Sequence, residues 1–208
     1  VIRMGDLDPS SLTWASLGLA ILSFYLLSQA TGDSSGSIWI IGGVFLILIA
    51  GVLDALDGAL ARHQGTDGPY GDFLDHTIDR VVDVGLLVAI GMNSSFVAEP
   101  STGLIAGLMT LFGSYMGTQA QSVGLNRIYG GFSRADRMVI TIVGLLAASW
   151  QAYAGASGIS MDSMHWIMEM LNLGNSELNG MTFALAVSAW GGAYTFLVRF
   201  IKTRSQLL

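Results

Sequence analysis

Residues 38 to 62 read IWIIGGVFLILIAGVLDALDGALAR, and the order of those letters decides the fold. From Ile38 to Leu53 no residue is charged, and then Asp54, Asp57 and Arg62 follow within a few positions. A bilayer core takes about 20 apolar residues as helix. The apolarity is continuous rather than striped, so the helical reading rests on length. Ten-residue alternating segments of the kind a membrane barrel needs are absent.

Five further stretches read the same way. The expected spans are Leu12 to Ala30, Ile38 to about Leu56, Asp75 to Val97, Leu104 to Val123, Met138 to Tyr153 and Met181 to Ile201. Turn residues divide them: Thr31 to Gly36, then Gly65, Gly68 and Pro69, then Glu99-Pro100-Ser101, then Gly130-Gly131. The chain is therefore expected to be an all-α polytopic membrane protein with six transmembrane helices, forming a single domain over residues 1–208. A short interfacial segment, Leu7 to Ser11, is expected to lead into the first span. Residues Asp162 to Leu171 are expected to lie in the opposite interface or to cap it. The first apolar stretch is long and lacks a clear cleavage site after it, so it reads as a span and not a removable signal.

Composition agrees. Of 208 residues, 52% are hydrophobic and only 12% are Asp, Glu, Lys or Arg, about half the charged share of ordinary soluble domains. The formal net charge is -6, with nine basic residues against fifteen acidic ones. That balance argues against a nucleic-acid partner. The chain has no cysteine, which removes disulfides, thiol catalysis and cysteine zinc sites. Six spans would put both termini on one side, together with all nine basic residues: Arg3, Arg62, Arg80, Arg127, Arg134, Arg137, Arg199, Lys202 and Arg204. The positive-inside rule makes that side cytoplasmic.

The chemistry is expected where spans two and three approach that side. Asp54 and Asp57 are three apart and Asp75 and Asp79 four apart, so each pair shares a helical face. Carboxylates at membrane depth are costly unless neutralised. Converging, they supply the hard oxygen ligands that Mg²⁺ or Mn²⁺ prefers. The plainer alternative is that they cap helix ends and pair with Arg62 and Arg80. Gly58 and Gly71 leave room for a ligand at the backbone, or serve simple packing. Arg62 has the planar fork that binds phosphate.

These residues also carry a resemblance. Asp54-x-x-Asp57-Gly58-x-x-Ala61-Arg62, then eight residues, then Gly71-x-x-x-Asp75-x-x-x-Asp79, resembles the signature of the CDP-alcohol phosphotransferase family at every fixed position. The resemblance implies two Mg²⁺ or Mn²⁺ ions held by Asp54, Asp57, Asp75 and Asp79, with Asp79 also the general base. It implies a cytidine-diphosphate pocket lined by Gly58, Ala61, Arg62 and Gly71. Asp72, which the signature does not specify, shares the register of the third helix and is expected to touch the nucleotide or to cap that helix. It implies a membrane enzyme of phospholipid biosynthesis that moves a phosphatidyl-type group from a CDP-linked lipid to a small alcohol and releases CMP. It also suggests a homodimer.

The region Tyr115 to Ala120, Gly124, Gly131, Arg134, Asp136 and Arg137 resembles, more loosely, the acceptor region of phosphatidylinositol-phosphate synthases and their archaeal counterparts. Arg127, Arg134 and Arg137 then become candidates for binding a phosphorylated acceptor, inositol 1-phosphate ahead of glycerol phosphate or serine, with CDP-archaeol or CDP-diacylglycerol as donor. The acidic, lysine-poor composition is read as archaeal. Positive-inside anchoring is the alternative for each arginine. Ser10 departs from the asparagine usual in the family's Pro-Asn-x-Leu-Thr segment. Asp83 is expected to bond across the bundle, to Asn126 or Tyr115. His63 and His76 are expected to face the interface. A cation transporter is the non-enzyme rival, but the aspartates gather at one face and no inverted repeat is visible.

Overall fold

The computed structural model describes residues 8–126, 128–156, 158–159, 169 and 178–208. They form six long helices: α1 (Pro9–Gln29), α2 (Ser34–Gln64), α3 (Pro69–Gly91), α4 (Ser101–Ser122), α5 (Arg134–Ala154) and α6 (Gly180–Leu207). Among the described residues there is no strand, only one antiparallel bridge between Ile159 and Leu178. The all-helical expectation holds. Four helices, α1, α2, α5 and α6, are long and apolar enough to cross a membrane. Arg3, Arg127 and most of the expected interfacial stretch Asp162 to Leu171 lie outside the described residues. Of the expected N-terminal segment, Asp8 to Ser11 are the cap and first turn of α1, continuous with the first span.

Local signals set the helix ends. Asp33 accepts from the backbone N–H groups of Ser35 and Gly36 and so caps α2. The Thr31 hydroxyl, followed by Gly36 and Ser35, holds its carboxyl well below the usual carboxylate range. The third span starts earlier than expected, at Pro69, because proline suits the first helical position. It also stops earlier, at Gly91. Asn93, fully buried, turns back and donates to the carbonyls of Leu27 and Ala30 at 2.6 and 2.9 Å. That contact satisfies carbonyls that the end of α1 leaves open.

The helices pack in a closed circuit: α1 on α2, α2 on α5, α5 on α6, α6 on α4, α4 on α3, and α3 back on α1, with a smaller α3–α6 contact across it. Leu27, Ile40, Leu86, Ile90, Leu145 and Leu185 fill the interior. Large apolar side chains such as Phe45, Trp150 and Leu197 point outward, which suits a surface solvated by lipid. Consecutive helices α2 and α3 are not a closely packed pair in this circuit. The gap between them is the functional feature of the fold.

Small residues let the helices close elsewhere. A Cβ on Gly91 would sit 2.5 Å from the Gly103 Cα, and one on Gly180 would sit 2.0 Å from the Gly144 carbonyl oxygen. Gly113, half of the Gly113/Gly117 pair on α4, meets Gly192 and Thr195 of α6, so this small-residue face is used within the chain. Replacing Gly91 by alanine is expected to cost about 1–3 kcal/mol through overpacking. Gly18→Ala, where nothing lies within 4 Å, should be neutral or stabilise by a few tenths of a kcal/mol through helix propensity. Thermal unfolding in detergent reads both, and equal shifts would contradict the packing described.

Candidate active site

At 31 residues α2 is the longest helix, about 46 Å at 1.5 Å per residue, against a hydrocarbon core of about 30 Å. Its C-terminal turns therefore carry the first half of the signature beyond the apolar stretch. The helix stops at Gly65, whose φ of +66° is the left-handed cap that glycine adopts without strain. Residues 65 to 68 reverse the chain, and Pro69 starts α3. Asp54, Asp57, Gly58, Ala61 and Arg62 thus form one wall of a cavity of about 640 Å³, and Gly71, Asp72, Asp75 and Asp79 form the facing wall. Every position of the signature lines this one space. Asp72 lies in the first turn of α3 but does not cap it; the cap is Gly68, which has no side-chain hydrogen bond to offer.

The start of α1 closes the third side, with Asp8, Ser10 and Thr13 lining the cavity. The Thr13 hydroxyl donates to Asp57, which is only 6% exposed. Sequence reading did not single out Thr13, although it ends the Pro9-to-Thr13 segment where the Ser10 departure was noted. Ser10 lines the cavity, and its backbone N–H donates to the Asp8 carboxylate at 3.2 Å.

The fourth side comes from α5. Ser133 and Asp136 form a reciprocal capping box. Asp136, noted in the acceptor-like region, thus fixes the start of α5 and aims Arg134, the first helical residue, into the cluster. Arg134 lies 3.5 Å from Asp54, 2.6 Å from Asp79 and 3.1 Å from Asp83. The contact with Asp79 is off the N–H axis, so the buried Asp79 Oδ1 has no aligned hydrogen bond among the described residues.

That orphaned oxygen bears on metal. Asp75, His76 and Asp79 offer ligand atoms that all lie within 4.8 Å of one another, and Asp54 and Asp57 face them from α2. Hard carboxylate oxygens with unmet acceptor capacity fit Mg²⁺ or Mn²⁺. His76 was expected to face the interface only. It is exposed, but its Nδ1 also stands 3.5 Å from Asp75. His63 is exposed and does not line the cavity.

A second cavity, of about 180 Å³, adjoins the first. Arg80, Arg134, Arg137 and Arg199 line it, together with Thr110 and Ser114. Arg134 is on the wall of both cavities. Arg137 lines only the second, and Arg127 lies outside the described residues. Arg80 donates to Ser114, and Arg199 donates to the Gly113 carbonyl at 2.8 Å. Asp83 does not bond to Asn126 or Tyr115 as expected; it pairs with Arg80, Arg134 and Arg137. Its spacing, eight residues beyond Asp75, puts it on this face of α3. The sequence placed Arg199 on the basic side of the bundle without assigning it to the site, and it did not single out Ser114 or Thr110; these come from α6 and α4.

Comparisons with known proteins agree with this geometry. A family model described as CDP-alcohol phosphatidyltransferase matches residues 7–173. An archaetidylinositol phosphate synthase of Methanothermobacter thermautotrophicus is 36% identical over 124 residues, 58% of this chain and 60% of that protein. This chain thus spans less than two thirds of that relative. A phosphatidylinositol phosphate synthase of Cutibacterium acnes is 27% identical over 204 residues, 94% of this chain and 85% of the relative. The crystal structure of Mycobacterium tuberculosis phosphatidylinositol phosphate synthase with CDP-DAG bound superposes with a TM-score of 0.67 at 20% identity, covering 95% of this chain and 86% of that one. The same enzyme with manganese and citrate gives 0.68. At that identity the likeness establishes a shared fold.

Arg134 is the counter-charge of the cluster, and its removal has a testable signature. Arg134→Ala is expected to destabilise the metal-free protein by about 1–3 kcal/mol, less than a fully buried pair because a third of the guanidinium side chain is exposed. Added Mn²⁺ should raise the melting temperature of this variant more than that of the unaltered protein. An equal rise in both would show that Arg134 does not neutralise the site.

Proposed function

The chain belongs to the CDP-alcohol phosphatidyltransferase family, is therefore a membrane enzyme, and on that premise we propose that it transfers a lipid phosphoryl group from CDP-archaeol or CDP-diacylglycerol to inositol 1-phosphate, releasing CMP. The observation that carries this reading is the pair of adjoining cavities with Arg134 in their shared wall. One is lined by the whole signature, and the other by four arginines of the kind that bind phosphate in bidentate fashion. Glycerol phosphate would use the same arginines and is the competing acceptor in the test below.

In this reading Asp54, Asp57, Asp75 and Asp79 hold two divalent ions, which when bound supply the positive charge that a diphosphate needs to be attacked and to leave as CMP. Gly58 and Gly71 let the nucleotide approach the backbone, and Ala61, Arg62 and Asp72 line its pocket. The Thr13 hydrogen bond fixes the Asp57 carboxylate. Asp79 takes the proton from the acceptor hydroxyl as its oxygen bonds to the lipid-side phosphorus and the bond from that phosphorus to CMP breaks. Arg80 and Arg134, at 3.7 and 2.6 Å from Asp79, also line the second cavity. There Arg80, Arg134, Arg137 and Arg199 hold the acceptor's phosphate. All six helices cross the membrane in this reading, with the site and both termini cytoplasmic, where a water-soluble acceptor meets a lipid donor.

A panel of inositol 1-phosphate, glycerol phosphate, inositol and serine, with CDP-lipid and Mg²⁺ or Mn²⁺, decides the acceptor. Inositol 1-phosphate is expected to give the highest kcat/KM. CMP release with glycerol phosphate or serine instead would replace the acceptor, and none with any alcohol would sink the reaction. Asp79→Asn is expected to lower kcat by at least about a hundredfold, the range of a lost general base, while CDP-lipid still binds.

A further inference from the structure

Asp83 lies four residues beyond Asp79 on α3, and its side chain is 0% exposed. Its two oxygens serve three arginines from two helices: Arg134 at 3.1 Å and Arg137 at 3.0 Å from α5, and Arg80 at 3.5 Å from its own helix. Arg134 Nε meets one oxygen, and Arg137 Nη2 meets the other. All three arginines line the second cavity; Asp83 does not.

Long side chains of like charge around so small a space would splay apart without such a centre. An arginine has five N–H donors; Arg134 turns all three nitrogens to carboxylates, whereas Arg137 meets Asp83 through Nη2 and keeps other donors for a ligand. Arg80 and Arg134 also face Asp79, and Arg134 faces Asp54, while Arg137 and Arg199 bring two further guanidiniums to the wall, which suits an anion. A buried ion group is weak evidence of stabilisation, since a well-packed apolar set often does as well. Its place beside a cavity suggests a different role.

We propose that Asp83 is a positioning residue for acceptor recognition: it gathers Arg80, Arg134 and Arg137 into a preformed pocket for the phosphate of the acceptor. The inference rests on the reading that this cavity takes a phosphorylated alcohol. It predicts that Asp83 acts on the affinity for the acceptor and only weakly on the chemical step or the metal. Asp83 does not touch the acceptor, and its influence passes through the three guanidiniums.

The test compares Asp83→Asn and Asp83→Glu with the unaltered protein, all full length in nanodiscs. Steady-state kinetics give KM for inositol 1-phosphate and kcat at saturation, and calorimetry gives the affinities for inositol 1-phosphate and for Mn²⁺. Asp83→Asn is expected to raise KM at least tenfold and weaken inositol 1-phosphate binding in parallel. Its kcat and Mn²⁺ affinity should stay within about threefold. Asp83→Glu, which keeps the charge but moves it by one methylene, should fall between. An unchanged KM, or a loss of kcat at unchanged KM, overturns the proposal. So does a parallel loss of Mn²⁺ and acceptor affinity, which marks a general structural role. If Asp83→Asn does not fold, Asp83→Glu decides alone: a raised KM supports the proposal and an unaltered one overturns it. Failure of the underlying reading looks different, because the unaltered protein would then show no saturable binding of inositol 1-phosphate.

Discussion

The structure depends on how an apolar bundle tolerates concentrated negative charge. Asp54, Asp57, Asp75, Asp79 and Asp83 sit on two helices that otherwise face lipid or core. Left alone, they would repel one another and resist leaving water. Arg134 answers three of them at once, at 3.5, 2.6 and 3.1 Å. Its own placement is local chemistry: a serine and an aspartate cap the helix that it begins. A two-residue box at a helix end therefore governs the charge balance of the whole site.

The same constraint explains why α2 and α3 stand apart. Two helices joined by a short reversal would ordinarily form a close antiparallel pair. Here their facing surfaces carry carboxylates, glycines and an arginine in place of interlocking apolar side chains. The bundle closes instead through α1, which packs on both of them, and through the glycine contacts of α3 with α4 and of α5 with α6. Close packing around the far side of the circuit holds open the space between the two signature helices. The over-length of α2 then sets that space toward the end of the bundle where the basic residues of α2, α5 and α6 also gather.

Charge is divided between the two cavities. The larger one has seven aspartates in its wall and suits cations; the smaller one has four arginines and suits an anion. Asp79 lines the larger cavity, and the two arginines beside it, Arg80 and Arg134, line the smaller one. A metal-bound diphosphate on one side and a phosphate-bearing alcohol on the other would meet there, and this supports a two-substrate transfer over a cation path.

The sequence by itself determined the helices and the first cavity. Uncharged stretches of span length can satisfy their backbone only as helix in lipid, and the spacing Asp54, Asp57, Gly58, Ala61, Arg62, Gly71, Asp75 and Asp79 places its residues on two facing surfaces joined by one turn. Those are local relations, governed by a period of 3.6 residues and a reversal at Gly65 and Pro69. The ends of α3 were misjudged because a proline start and an asparagine stop outweighed hydropathy. What only the tertiary structure decided is long-range. Thr13 meets Asp57 across 44 positions, and Arg134 meets Asp83 across 51. Arg199 and Ser114 complete a pocket with Arg80 that no motif announces. Such partners are chosen by which helices become neighbours in the circuit, and that depends on the fit of Gly91 against Gly103 and Gly144 against Gly180. Hydropathy and signature spacing carry no trace of that fit, so the arginine pocket and the pairing of Asp83 with its arginines became visible only in three dimensions.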